Sequence, residues 1–262
     1  MKLAIETHGT GQPLVLIHGM GSAATAWQPI IPTLAKQFSV VTIDLPGHGR
    51  TPYSPIQKMD PTSLAQLVLK NLKNIGIESF HLVANSLGGW VSFEIAVLNP
   101  AAVKSITALA PAGLWLTPFT SRYPGELALR VMASGVEKLA PSLLNYTWAK
   151  KIGFETVSPR WKELSYEICL DATSAMAQST GYCPAWDALL GKRFDKQIDS
   201  QIPITIVFGD SDHTLPAKTC QERSLAPAHA KWIILPQTGH APMWDSPNEV
   251  LSEILQTVGV SQ

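Results

Sequence analysis

What the sequence most plainly lacks is an excess of charge. Twenty Lys and Arg residues stand against twenty Asp and Glu in a chain of 262 residues, and the formal net charge is zero. No block of like charge stands out along it. A nucleic-acid surface or a polybasic membrane anchor would need one, so neither nucleic acid nor a membrane is expected as a partner. Long apolar runs are missing too, and nothing approaches the 18 or so residues of a spanning helix. The opening Met1-Lys2-Leu3-Ala4-Ile5-Glu6 has one lysine but no apolar stretch of the kind a secretory leader carries. Cysteine is scarce: Cys169, Cys183 and Cys220 are too few, and odd in number, for a disulfide framework. The expectation is three reduced, mostly buried thiols in a cytoplasmic protein. No His or Cys pair has ligand spacing such as His-Glu-x-x-His, so no metal and no cofactor is expected.

Apolar residues, by contrast, make up 45% of the chain, enough for one sizeable core. Seven short runs rich in Val and Ile end at turn residues. They are Leu3 to Glu6, Leu14 to Ile17, Val40 to Leu45, His81 to Ala84, Ser105 to Ala110, Ile204 to Phe208 and Trp232 to Leu235. Their apolarity is continuous rather than alternating, which suits strands covered on both faces. Helical patterns lie between them. The clearest opens at Asp60-Pro61, an N-cap followed by proline at the first helical position, and carries Leu64, Leu67, Val68, Leu72 and Ile75 on one stripe, with Gly76 as its stop. Strands alternating with helices predict an α/β fold with a doubly wound, mostly parallel sheet of about seven or eight strands. The first two runs, joined by His8-Gly9-Thr10-Gly11, predict an antiparallel hairpin.

The strand pattern breaks between about Gly113 and Pro203. Leucines, alanines and tryptophans take over, with Ser158-Pro159 as a helix start. This predicts a helical lid insertion at 114–202 within a core formed by 1–113 and 203–262, because such a length is too great for a plain loop. Trp115, Trp148, Trp161 and Trp186 fall in it and read as its core rather than as substrate contacts.

Active groups of parallel α/β sheets collect at the carboxyl ends of strands. The residues after each run are therefore informative. They are His18-Gly19-Met20-Gly21, Pro46-Gly47-His48-Gly49 with Asp44 before it, Asn85-Ser86-Leu87-Gly88-Gly89, Gly209-Asp210-Ser211-Asp212-His213, and Thr238-Gly239-His240. Separate strand ends thus supply a serine, an acid and a histidine, in that chain order.

On these motifs the chain resembles the α/β-hydrolases of the lid-bearing esterase and lipase type over nearly its whole length. The resemblance implies Ser86 as nucleophile, His240 as the base that takes its proton, and Asp212 as the acid that orients His240, with Asp210 as the rival acid. It further implies an oxyanion hole built from the backbone N–H groups of Met20 and Leu87. His18 is expected to shape that loop, Asp44 to Gly49 to form a structural turn, and His213 to be solvated. One departure is Ala84, which stands where the family's serine turn usually has glycine. The implied activity is hydrolysis of a small, largely apolar carboxylic ester through an acyl-enzyme on Ser86. Alternatives are a C–C bond hydrolase of ring-fission products, with Lys192 or Arg193 meeting a carboxylated substrate, and a ligand-binding receptor that keeps the triad. A small-molecule ester is the expected partner, and no residue of the lid is assigned to bind it.

Overall fold

The computed structural model describes residues 1–122 and 124–259. Each of the seven apolar runs becomes a strand: β1 Ala4–His8, β2 Gln12–Ile17, β3 Phe38–Asp44, β4 Phe80–Asn85, β5 Val103–Leu109, β6 Ile204–Gly209 and β7 Lys231–Leu235. They form one sheet in the order β1-β3-β2-β4-β5-β6-β7. β1 runs antiparallel to β3, and all other neighbours are parallel.

Helices α1 Ile31–Leu34, α2 Pro61–Asn74 and α3 Leu87–Leu98 come before β5. Between β5 and β6 the described residues hold α4 Pro124–Val136, α5 Ala140–Leu143, α6 Thr147–Phe154, α7 Tyr166–Gln178 and α8 Tyr182–Leu189, and no strand. Then follow α9 Ala217–Cys220, α10 Pro242–Asp245 and α11 Pro247–Val258.

The continuous apolarity of the strands has a direct cause. In β2, Val15 and Ile17 pack with Leu64 and Val68 of α2 and Val91 of α3, while Leu14 and Leu16 pack with Leu34 of α1 and Val250 and Ile254 of α11. Both faces of the sheet are covered, so neighbouring side chains on one strand are both buried. Among the described residues no helix is long and apolar enough to cross a membrane. All three cysteines are free; Cys169 and Cys220 are buried, and burial pushes the Cys169 thiol up to about 11.

Two local expectations are corrected. The hairpin of β1 on β2 does not form, because β3 lies between them. His8 pairs with Val40 antiparallel, and Val15 pairs with Val41 in parallel. The connection through Gly9 and Gly11 crosses the start of β3, against Gln37 and Phe38. A buried strand needs partners for the N–H and C=O groups on both its edges, and β3 finds one on each side. A short loop between two apolar runs cannot report a third strand that arrives later. Likewise Ser158-Pro159 starts a series of turns, not a helix. The Ser158 hydroxyl donates to the Asp245 carboxylate instead of capping its own chain, and the next helix opens seven residues on, where Ser165 caps α7 by accepting from Ile168 N at 3.2 Å.

Helix α2 starts where the sequence places it. The Asp60 carboxylate accepts from Ser63 N at 3.0 Å, Pro61 opens the helix, and Leu64, Leu67, Val68 and Leu72 are buried. Ile75 departs from the expected stripe: it is the C-cap and lies half exposed, and Gly76 follows in the left-handed region at φ 79°. Asp60→Ala is expected to cost about 1 kcal/mol by leaving an N-terminal N–H unpartnered. A urea midpoint would read that loss.

Candidate active site

The buried strand β4 ends at Asn85 and α3 begins at Leu87, so Ser86 alone turns the corner. Its backbone sits at φ 54°, ψ −118°, a region non-glycine residues seldom occupy. The end of β5 and the residues after it hold it there. Ser86 N donates to Leu109 O at 3.0 Å, and Ser86 O accepts from Ala112 N at 2.9 Å. Ala84, buried in β4 opposite Ile17 and Ala108, does not prevent the turn. Behind the serine, a Cβ on Gly88 would fall 2.3 Å from Ile17 O, so only glycine lets α3 start this close to β2.

The loop after β2 lies against this turn. A Cβ on Gly19 would come within 2.9 Å of the Ser86 Cβ. His18 is fully buried and braces the loop. Its Nδ1–H donates to Gly19 O at 2.7 Å and its Nε2 accepts from Leu45 N at 3.0 Å, which fixes the tautomer, since a carbonyl only accepts and an amide N–H only donates. Burial lowers its pKa, against the charge of Asp44, so it stays neutral. Asp44, also buried, accepts from Ala24 N at 2.7 Å and from Arg50 N at 3.1 Å. These contacts give His18 and Asp44 structural parts. Met20 follows in the same loop, and Leu87 is the first residue of α3, where an N–H has no acceptor within the helix. Both residues line the cavity described below.

The third element is the loop after β7. His240 Nδ1 donates to Asp212 Oδ2 at 2.9 Å. The other oxygen of Asp212 accepts from Thr214 N at 2.9 Å and Leu215 N at 2.8 Å. Burial pushes the Asp212 carboxyl up. The His240 charge, its hydrogen bond and the two backbone N–H groups more than offset this, and the net pKa is lowered. Asp210 is exposed and turned to Ser211 Oγ at 2.8 Å, with Thr238 N at 3.4 Å, and His213 is exposed. So His240 meets Asp212 and not its rival.

The sequence assigns no role to Asn85. Its Nδ2 donates to Leu109 O and to His240 O, each at 3.0 Å, and so ties the residue before Ser86 to the loop of His240. The available signal was a polar side chain at the end of an apolar strand.

Ser86 and His240 open on one cavity of about 320 Å³. Its far walls come from the helices between β5 and β6: Met132 and Val136 of α4, Trp148 and Ile152 of α6, and Ala172 and Met176 of α7. Trp115 and Trp186 are core, as expected: both are buried and pack edge-on against Phe119, and they also face the cavity. Trp161 packs beside Phe154 and Leu164, and Trp148, largely exposed, departs from the expectation by lining the cavity. No Asp, Glu, Lys or Arg is among the described lining residues. Lys192 is exposed, Arg193 Nη1 donates to Leu116 O at 2.7 Å, and neither reaches the cavity. Among the described residues no three His, Cys, Asp or Glu side chains gather as a metal site.

Residues 14–254 match the alpha/beta hydrolase family. The chain belongs to that family. Among curated relatives, this alpha/beta hydrolase is 27% identical over 246 residues to the dihydrolipoyllysine-residue acetyltransferase component of the acetoin cleaving system of Pseudomonas putida. That match takes in 94% of this chain but only 63% of the relative's length. It is 26% identical over 246 residues to a pimeloyl-[acyl-carrier protein] methyl ester esterase of Legionella pneumophila (strain Lens), covering 92% of this chain and 93% of that one. Among solved structures, a thermophilic esterase from Thermogutta terrifontis superposes with a TM-score of 0.71 at 19% identity, over 98% of this chain and 93% of the other, and so shares its fold.

Proposed function

We propose that this alpha/beta hydrolase cleaves a carboxylic ester with an apolar acyl or alcohol part, through an acyl-enzyme on Ser86. The observation that carries the reading is the pairing of His240 with buried Asp212 on the same apolar cavity as Ser86. A serine hydroxyl is a weak nucleophile until a base takes its proton. With Nδ1–H engaged by Asp212, the nitrogen of His240 that acts as that base is Nε2. Ser86 Oγ adds to the acyl carbon as its proton passes to Nε2. The backbone N–H groups of Leu87 and Met20 receive the oxyanion. His240 then returns the proton to the leaving alcohol, and the C–O bond of the ester breaks. Water repeats the sequence on the acyl-enzyme and releases the acid. Asp212 steadies the imidazolium in both halves without taking the proton itself.

The bond type finds support in the esterase among the relatives. The apolar substrate finds it in walls free of charged side chains. A carboxylated ring-fission substrate would need a cation in the pocket, and Lys192 and Arg193 lie outside it.

Turnover of p-nitrophenyl esters from acetate to decanoate tests this reading. Each buried methylene contributes about 0.8 kcal/mol, so kcat/KM should climb about fourfold per carbon until the cavity is full. A preference for acetate, with decline from there, would contradict the apolar acyl site.

A further inference from the structure

The loop of His240 is held by more than Asp212. Gly239 N donates to Asp245 Oδ2 at 2.7 Å, and the other oxygen of that carboxylate accepts the Ser158 hydroxyl. His240 N itself donates to Val157 O at 2.9 Å. Val157 and Ser158 belong to the stretch between α6 and α7, within the helical segment that walls the cavity. The approach is close. A Cβ on Gly239 would fall 2.1 Å from Val157 O, so the loop and this stretch are pressed together. Arg160 Nη1 closes the join by donating to the Asp245 main-chain oxygen at 2.9 Å.

Asp245 is 3% exposed. Burial pushes its carboxyl up, against the hydrogen bonds from Ser158 and Gly239. A buried carboxyl group is costly unless its oxygens are used. Here one oxygen is spent on the N–H adjoining the candidate base and the other on the helical segment. The imidazole, then, is restrained both through its ring and through its backbone, the latter also by Asn85 and Val157. Asp212 holds the ring, and Asp245 holds the backbone that carries it.

We propose that Asp245 is a positioning residue for His240: it fixes the Gly239 peptide, sets the imidazole against the Ser86 hydroxyl, and joins that loop to the helical segment through Ser158. This rests on His240 being the base of the proposed reaction.

The test compares Asp245→Ala, Asp245→Asn and Ser158→Ala with wild type and Ser86→Ala. It measures kcat and KM on the preferred p-nitrophenyl ester. It also measures both the rate constant and the endpoint of Ser86 labelling by a fluorophosphonate. A small misplacement of a catalytic group costs about 10²-fold, so Asp245→Ala should lose about that much in kcat with KM nearly unchanged. Labelling should slow in the same proportion yet still reach completion. Asp245→Asn should recover most of both rates. Its amide oxygen still accepts from Gly239 N, and its amide N–H can donate to Ser158 Oγ.

A reduced endpoint with an unchanged labelling rate would overturn the proposal, since it marks a folding role alone. An Asn variant as slow as the Ala variant would also overturn it. If Asp245→Ala does not fold, Ser158→Ala decides: slower labelling at full endpoint supports the proposal, and a wild-type rate overturns it. Ester turnover that survives in Ser86→Ala, or is absent from wild type, would end the proposed function and this inference with it. Wild-type turnover abolished in Ser86→Ala, with Asp245→Ala at full speed, would end only the inference.

Discussion

Ser86→Ala is expected to lower ester turnover by about 10⁶-fold, the scale seen when the nucleophile of a serine hydrolase is removed. The proposed oxyanion donors and the cavity stay, so a faint residual rate above that in water is expected. Folding should be untouched. Alanine keeps the Cβ that serine already carries at φ 54°, and the bonds from Leu109 and Ala112 are to main-chain atoms. Circular dichroism and the thermal midpoint check that half of the prediction. Steady-state hydrolysis of p-nitrophenyl esters checks the other. Hydrolysis at the wild-type rate would point to another nucleophile. Loss of the fold would make Ser86 a structural residue. A folded wild-type protein that binds esters without turning them over would favour a receptor.

Asp212→Asn should cost about 10⁴-fold in kcat, while Asp210→Asn changes it little. The reason lies in the hydrogen bond. His240 Nδ1 needs an acceptor, and Asp212 Oδ2 provides one at 2.9 Å. An asparagine can offer an N–H there and draw the ring into the wrong tautomer, with its proton on the nitrogen that should be the base. Asp210 points to Ser211 and solvent, and so has nothing to lose of this kind. The reverse ranking would reassign the acid. Stability should respond as well. Folding lowers the Asp212 pKa. Its contribution is therefore complete above the unfolded value of about 3.9 and fades as pH falls through the lower folded value. Denaturant midpoints taken from pH 5 to 2 should fall more steeply for wild type than for Asp212→Asn. Equal slopes would mean that the carboxylate is not stabilised by its partners.

How much of this was legible depends on whether the cause is local. The strands were, because a run such as Leu14 to Ile17 buried on both faces stays apolar at every position. The cap at Asp60 was, because its hydrogen bond closes within three residues. The β1–β2 pairing was not, because the partner of β1 comes 30 residues later. Ser158 was misread for the same reason. Its hydroxyl meets Asp245, 87 residues away, and a residue with a distant partner looks like an unused cap.

The walls of the cavity were hidden differently. Met132 with Val136, Trp148 with Ile152, and Ala172 with Met176 each repeat at the helical spacing of an ordinary core stripe. Periodicity says that a face is turned away from water. It does not say whether another side chain or an empty space lies opposite.

The sequence by itself determined the alternation of strands and helices, the serine at a strand-to-helix joint, and the order of serine, acid and histidine along the chain. These follow from neighbours in the chain, from burial patterns and from the need to cover a sheet. Only the tertiary structure decided that β3 stands between β1 and β2, that His240 meets Asp212 and not Asp210, and that Asn85, Asp245 and Val157 hold the histidine loop. Apart from the short-range bond of Asp245 to Gly239, those facts depend on groups 28 to 155 residues apart meeting within hydrogen-bond distance. A contact of that range is set by how the strands are ordered in the sheet, and no stretch of the chain encodes it alone.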